Sequence, residues 1–133
     1  MLKLSRRVEY GLMAVQHIAH AQPGAVSTAK EIAKAYNIPY ELVAKVLQRL
    51  AKAGIIVSQQ GVYGGYTLAK RSDEITIFSV IRAIEGADPA LMPCAETAEG
   101  CELEKLCEIK NPLMKIQSRI VNMFSSMTVS EIA

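Results

Sequence analysis

This chain has no tryptophan, only two phenylalanines, two histidines and three cysteines in 133 residues. Sparse aromatics (5%) in a composition that is 50% hydrophobic suggest a helical globular protein. The length suits about one domain with a core of its own. No apolar run approaches the roughly 20 residues that a membrane-spanning helix needs, so no membrane partner is expected. Met1 opens the chain with no secretory leader pattern, which predicts a cytoplasmic protein with reduced thiols. An odd number of cysteines excludes a complete internal disulfide framework. No paired acid and base and no substrate-binding motif stand out, so the chain is not read as an enzyme. Gly64-Gly65 follows no strand-then-helix pattern, which excludes a nucleotide-binding loop there.

What is present is unevenly distributed. Residues 1–72 hold ten Lys/Arg against three Asp/Glu, and residues 73–133 hold five against ten, so a net charge of +2 splits into a basic front and an acidic back. A basic front half points to a polyanionic partner.

Residues 5–21 carry Val8, Leu12, Val15 and Ile18/Ala19 at helical spacing, and Pro23-Gly24 ends that helix. His17 and His20, near its end, are read as packing or solvated residues. Thr28-Ala29-Lys30-Glu31 is a capping-box pattern that opens a second helix to about Tyr36. Asn37-Ile38-Pro39 is a turn, with Pro39 suited to the first turn of a third helix. That helix reaches about Ala53, with Gly54 as its cap. Leu42, Val43, Val46, Leu47 and Leu50 form its expected apolar stripe. Its other face shows Tyr40, Glu41, Ala44, Lys45, Gln48, Arg49 and Lys52. Two short helices and a tight turn are the pattern of a helix-turn-helix, whose second helix enters the major groove of duplex DNA. Lys45 and Gln48 can donate to base edges or phosphates, while Arg49 and Lys52 suit phosphates.

Ile55-Ile56-Val57 and Tyr66-Thr67-Leu68 then flank a glycine-rich tip, a hairpin that makes the whole a winged helix. Gln59, Gln60 and Tyr63 offer hydrogen bonds to DNA, and Gly64 permits close approach. A polar turn at 70–73 and a short strand over Ile75–Phe78 are expected, then a helix over Ser79–Ile84 closed by Gly86. After Glu108-Ile109-Lys110, Asn111-Pro112 predicts a helix start. Leu113, Ile116, Ile120, Met123 and Met127 then recur as a seam of two heptads, suited to dimerisation. Thr128–Glu131 is a second capping-box pattern. The expected architecture is mainly α with a small β-hairpin wing: a winged helix-turn-helix over residues 1–86, then a cysteine loop and long dimerisation helix over 87–133.

All three cysteines lie in one stretch, C-A-E-T-A-E-G-C-E-L-E-K-L-C, at Cys94, Cys101 and Cys107. Glu96, Glu99, Glu102 and Glu104 share it, and Lys105 is its one basic residue. Thiols this close in a glycine-containing segment can converge on a soft metal centre, zinc or iron–sulfur, or act as a redox switch. A fourth metal ligand must come from elsewhere.

Several segments together resemble the Rrf-two superfamily of bacterial winged-helix regulators. They are Met1-Leu2-Lys3-Leu4-Ser5 through Tyr10, Ile38-Pro39-Tyr40, Leu47-Gln48-Arg49-Leu50, Gly54-Ile55-Ile56, Gly61-Val62-Tyr63-Gly64-Gly65-Tyr66 and the cysteine triplet. The resemblance covers essentially the whole chain. It implies a homodimeric, DNA-binding transcription factor, read as a repressor, with an iron–sulfur cluster (4Fe-4S or 2Fe-2S) on Cys94, Cys101 and Cys107. Members that sense cluster supply take a histidine three residues after the last cysteine as fourth ligand. Here that position is Lys110, whose ammonium has no free lone pair. Members that sense nitric oxide use an aspartate near the start of the partner's first helix, and Glu9 aligns with it. The wing has Gln59 and Gln60 where an arginine is usual. The resemblance matches helix three and the wing to the elements that contact double-stranded operator DNA, and the residues of these elements expected to do so here are Tyr40, Glu41, Lys45, Gln48, Arg49, Gln60, Tyr63 and Gly64. The competing reading keeps the scaffold and replaces the cluster with zinc or a thiol–disulfide switch.

Overall fold

The computed structural model describes residues 4–61, 64–86 and 110–133. Helix α1 (Arg6–His20) starts at Ser5, whose hydroxyl accepts from the Val8 amide at 3.2 Å. It buries Val8, Gly11, Ala14, Val15 and Ile18, while Leu12 is half-buried. Helix α2 (Ala29–Tyr36) carries the expected capping box, with Thr28 and Glu31 each satisfying the other's backbone amide. This removes two of the unpaired donors at the helix start. His17 of α1 meets Tyr36 of α2 edge-on, with ring centroids 5.7 Å apart, and so packs the two helices together.

The turn into α3 (Tyr40–Lys52) is tight because Asn37 adopts a left-handed conformation, φ 53°. Asparagine tolerates that region better than most residues. The Ile38 amide then bonds back to the Ala33 carbonyl at 2.9 Å. Val43, Val46, Leu47 and Leu50 are buried as expected. Leu42 is not: it is 38% exposed. It falls about 100° around the helix from Val43, at the margin of the apolar stripe.

Strands β1 (Ile56–Gln59) and β2 (Gly65–Leu68) pair antiparallel, from Ile56 with Leu68 to Gln59 with Gly65. Ser27 adds an isolated bridge to β2, exchanging backbone hydrogen bonds with Tyr66 at 3.0 and 2.8 Å. The wing is thereby anchored to the segment before α2. This close approach accounts for the two glycines: a Cβ at Gly65 would lie 2.9 Å from the Ser27 carbonyl oxygen, and one at Gly64 2.8 Å from that of Gln59.

A 3-10 turn (Ser72–Glu74) leads to α4 (Ile77–Glu85). The expected strand over Ile75–Phe78 is reduced to one isolated bridge, Thr76 with Thr128. Thr76 caps the helix, its hydroxyl accepting from the Ser79 amide at 3.1 Å, so Ile77 and Phe78 are already helical. Gly86, at φ 76°, ends α4. In helix α5 (Lys110–Ser126) Asn111 is already helical and so is not a cap. Pro112 sits in its first turn, where a missing N–H costs no hydrogen bond. Helix α6 (Val129–Ile132) follows the second capping box, at Thr128 and Glu131.

One core runs through these elements. Ile32, Leu47, Leu50, Val80, Ile84 and Val129 are all fully buried. The chain's end is stitched to the start of α4: the Val129 amide donates to Ile75 at 2.8 Å, and the Ile77 amide to Met127 at 2.9 Å. Among the described residues, no helix is long and apolar enough to cross a membrane.

Candidate nucleic-acid interface

The outward face of α3 follows from its period. Glu41, Lys45, Gln48 and Lys52 recur at intervals of four, three and four residues, which places them on one line along a helix. All four are exposed, and Tyr40 at the helix start is 51% exposed. The buried stripe of Val43, Val46, Leu47 and Leu50 lies opposite. The N-terminus of α3 has Pro39 at its cap and no side-chain hydrogen bond. The positive end of the helix dipole therefore meets solvent beside Tyr40 and Glu41.

Among the described residues, the ion pairs are Arg7–Glu85 and Arg71–Asp73. Neither Lys45 nor Lys52 takes part in one, and Lys30 and Lys34 on the adjoining α2 are likewise exposed and outside both pairs. Among the described residues, these four exposed lysines on two adjacent helices have no ion-pair partner. On the hairpin, Gln59 and Gln60 are exposed, and Gln59 bonds across the ladder to Thr67 at 3.5 Å. Gly64 is half-buried at the tip, and Tyr63 lies outside the described residues.

Arg49 is exposed like its polar neighbours, but its side chain is engaged within the fold. It sits on the flank of α3, seven residues after Leu42, and its Nη1 donates to the Ile84 carbonyl at the end of α4 at 2.5 Å. Nothing in the sequence signals this bond, because it joins residues 35 positions apart.

Glu9 is exposed in the first turn of α1. The nearby Arg7 pairs at 3.5 Å with Glu85, not with Glu9. Cys94, Cys101 and Cys107 lie outside the described residues. Among the described residues, no three His, Cys, Asp or Glu side chains are grouped to hold a metal. Thiols are the donor type that a soft metal centre takes.

On α5, Gln117 is buried and Phe124 packs against the core, as does Met127 just past the helix end. Ile116 and Met123 are 50% and 49% exposed, and Leu113 and Ile120 are half-buried. Four of the five expected seam positions therefore keep apolar surface open to solvent, and Met127 turns toward the chain's own core.

The comparisons with known proteins agree with this arrangement. The profile of Rrf2, described as an iron-dependent transcriptional regulator, matches residues 4–133. A protein of Aquifex aeolicus described as an HTH-type transcriptional regulator is 32% identical over 134 residues, covering 96% of this chain and 89% of its own length. Among solved structures, CymR, the global cysteine regulator of B. subtilis, superposes with a TM-score of 0.80 at 28% identity, covering 100% of this chain and 97% of that one. IscR of T. potens superposes with a TM-score of 0.76 at 23% identity, covering 98% and 85%.

Proposed function

This chain belongs to the Rrf2 family of transcriptional regulators, and from that premise we propose that its homodimer reads duplex DNA under the control of an iron–sulfur cluster on Cys94, Cys101 and Cys107. The observation that carries the DNA reading is the exposed line Glu41, Lys45, Gln48 and Lys52 on α3, beside an uncapped helix N-terminus and a hairpin presenting Gln60. A recognition helix enters the major groove by its N-terminal residues, so Tyr40, Glu41, Lys45 and Gln48 are the base-edge candidates. Lys52, Lys30 and Lys34 suit phosphates, and Tyr63 and Gly64 at the hairpin tip join Gln60 in contacting the backbone.

The half-exposed seam of Leu113, Ile116, Ile120 and Met123 supports association with a second copy. Two α3 helices would then address half-sites about one DNA turn apart, roughly 34 Å. Three thiols and one carboxylate, Glu9 of the partner, form a donor set suited to a cluster. When bound, such a cluster supplies an iron centre responsive to redox state, nitric oxide or iron supply. The chain's own part is to fix ligand geometry: Glu9 would tie α1 of one protomer to the cysteine segment of the other.

A second reading has the cysteines act as zinc ligands or as a thiol–disulfide switch. The likeness to the cysteine regulator CymR favours it. The visible spectrum and iron content of protein purified without oxygen decide between the two. Charge-transfer bands with iron support the cluster, whereas a colourless protein supports the second reading. Equal affinity of wild type and Cys101→Ala for a selected operator would refute control through the cysteines altogether.

A further inference from the structure

We propose that Arg49 is a positioning residue: it ties the recognition helix to the end of α4, and it is not a phosphate contact. This rests on the proposed control of DNA binding by the cysteines. Three observations converge on the last turn of α4. The Arg49 guanidinium donates to the Ile84 carbonyl at 2.5 Å. The final carbonyls of a helix lack intrahelical donors and carry partial negative charge, which a guanidinium satisfies by hydrogen bond and by charge. The Ile84 side chain is fully buried, and it lies beneath Gly11 of α1 in the same pocket as Val46 of α3. The next residue, Glu85, accepts hydrogen bonds from Ser5 and Arg7 at the start of α1.

Ile84 is thus held by both α1 and α3, and Glu85 by the start of α1. They stand directly before Gly86, after which the chain runs on to Cys94. Arg49 also lies off the line of Glu41, Lys45, Gln48 and Lys52, by roughly 70° on the helix. A guanidinium on that flank is directed across to α4, while the lysines on the line point outward. A change of state at the cysteines that moves the end of α4 would act on α3 through this bond, and on α1 through Glu85.

The test uses full-length protein and a duplex selected from a random-sequence pool with the wild-type dimer. Binding of Arg49→Met, Arg49→Lys and the control Lys45→Ala is measured against salt, each in the wild-type and Cys101→Ala backgrounds. Hydrogen exchange across residues 40–52 is followed in parallel. Removing one phosphate-binding side chain lowers the slope of log affinity against log salt by about one.

For Arg49→Met we expect an unchanged slope, faster exchange in α3, and a ratio between the two backgrounds that falls to less than about a third of its wild-type value. Arg49→Lys, which keeps one donor, should retain part of the ratio. A slope reduced by about one with the ratio intact would overturn the proposal, as would unchanged slope, exchange and ratio together. If wild type itself shows no difference between backgrounds, control by the cysteines fails. Slope and exchange then still decide whether Arg49 positions α3 or binds phosphate.

Discussion

A Cβ placed on Gly11 would come within 2.9 Å of Ile84 Cγ1 and 3.1 Å of its Cδ1. Replacing glycine by alanine inside a helix gains up to about 1 kcal/mol in an open site. Here Ile84 is fully buried, and at 2.9 Å one of the two groups must shift within the core. Overpacking of this kind costs about 1–3 kcal/mol. Gly11→Ala should therefore lower stability by about 1 kcal/mol net, read as a lower urea midpoint at unchanged slope. A raised midpoint would show that the α1–α4 contact yields freely.

The seam on α5 gives a second expectation. Ile120 is half-buried between the exposed Ile116 and Met123. A lysine there would bring two like charges together across a two-fold contact. Ile120→Lys should sediment as a monomer with its helix content retained. A variant that still sediments as a dimer at micromolar concentration would place the association surface elsewhere.

Much of this fold was legible because local chemistry and the final packing agree. Thr28 and Glu31 signal a helix start and form one, and Asn37-Ile38-Pro39 signals a turn and makes one through the positive φ of Asn37. Legibility ended where a long-range contact decides. The β-branched run at Ile75–Phe78 suggests a strand, but Thr76 caps α4 and only one bridge to Thr128 remains. The buried Gln117 was hidden by the apolar repeat around it, and Leu42 looked internal because its neighbours are. The bond from Arg49 to the Ile84 carbonyl was hidden in the same way, because it joins residues 35 positions apart.

The DNA-reading face can be tested without disturbing the wing. Deleting Gly64-Gly65 would break the ladder and the contact with Ser27, so a fall in binding would not be specific. Lys45→Ala and Gln60→Ala remove exposed side chains only. Lys45→Ala should weaken operator binding by about 1–3 kcal/mol if it reads a base edge, with loss of sequence preference at one position. If it meets a phosphate, binding should weaken uniformly and the salt slope fall by about one. Unchanged affinity in both Lys45→Ala and Gln60→Ala would remove this face from the interface.

Glu9 carries the last expectation. A surface glutamate near arginines is ordinarily neutralised by one of them, and Arg7 is two residues away. Arg7 instead reaches Glu85, which also accepts from the Ser5 hydroxyl. The Glu9 amide is fixed by its bond to the Ser5 carbonyl at 3.0 Å, so its carboxylate projects from an ordered first turn. An exposed carboxylate held in this way is available to a partner subunit. As a metal ligand it would bind a soft centre less firmly than a thiolate does. Cys101→Ala should therefore abolish the visible absorption of anaerobically reconstituted protein, while Glu9→Ala keeps a cluster with altered bands and faster loss to a chelator. Because Glu9 would join α1 of one protomer to the cysteine segment of the other, Glu9→Ala should also shrink the difference in operator affinity between loaded and stripped protein. A Glu9→Ala protein with wild-type spectrum, cluster lifetime and operator response would exclude the cross-subunit carboxylate and leave the three cysteines as the ligands that matter.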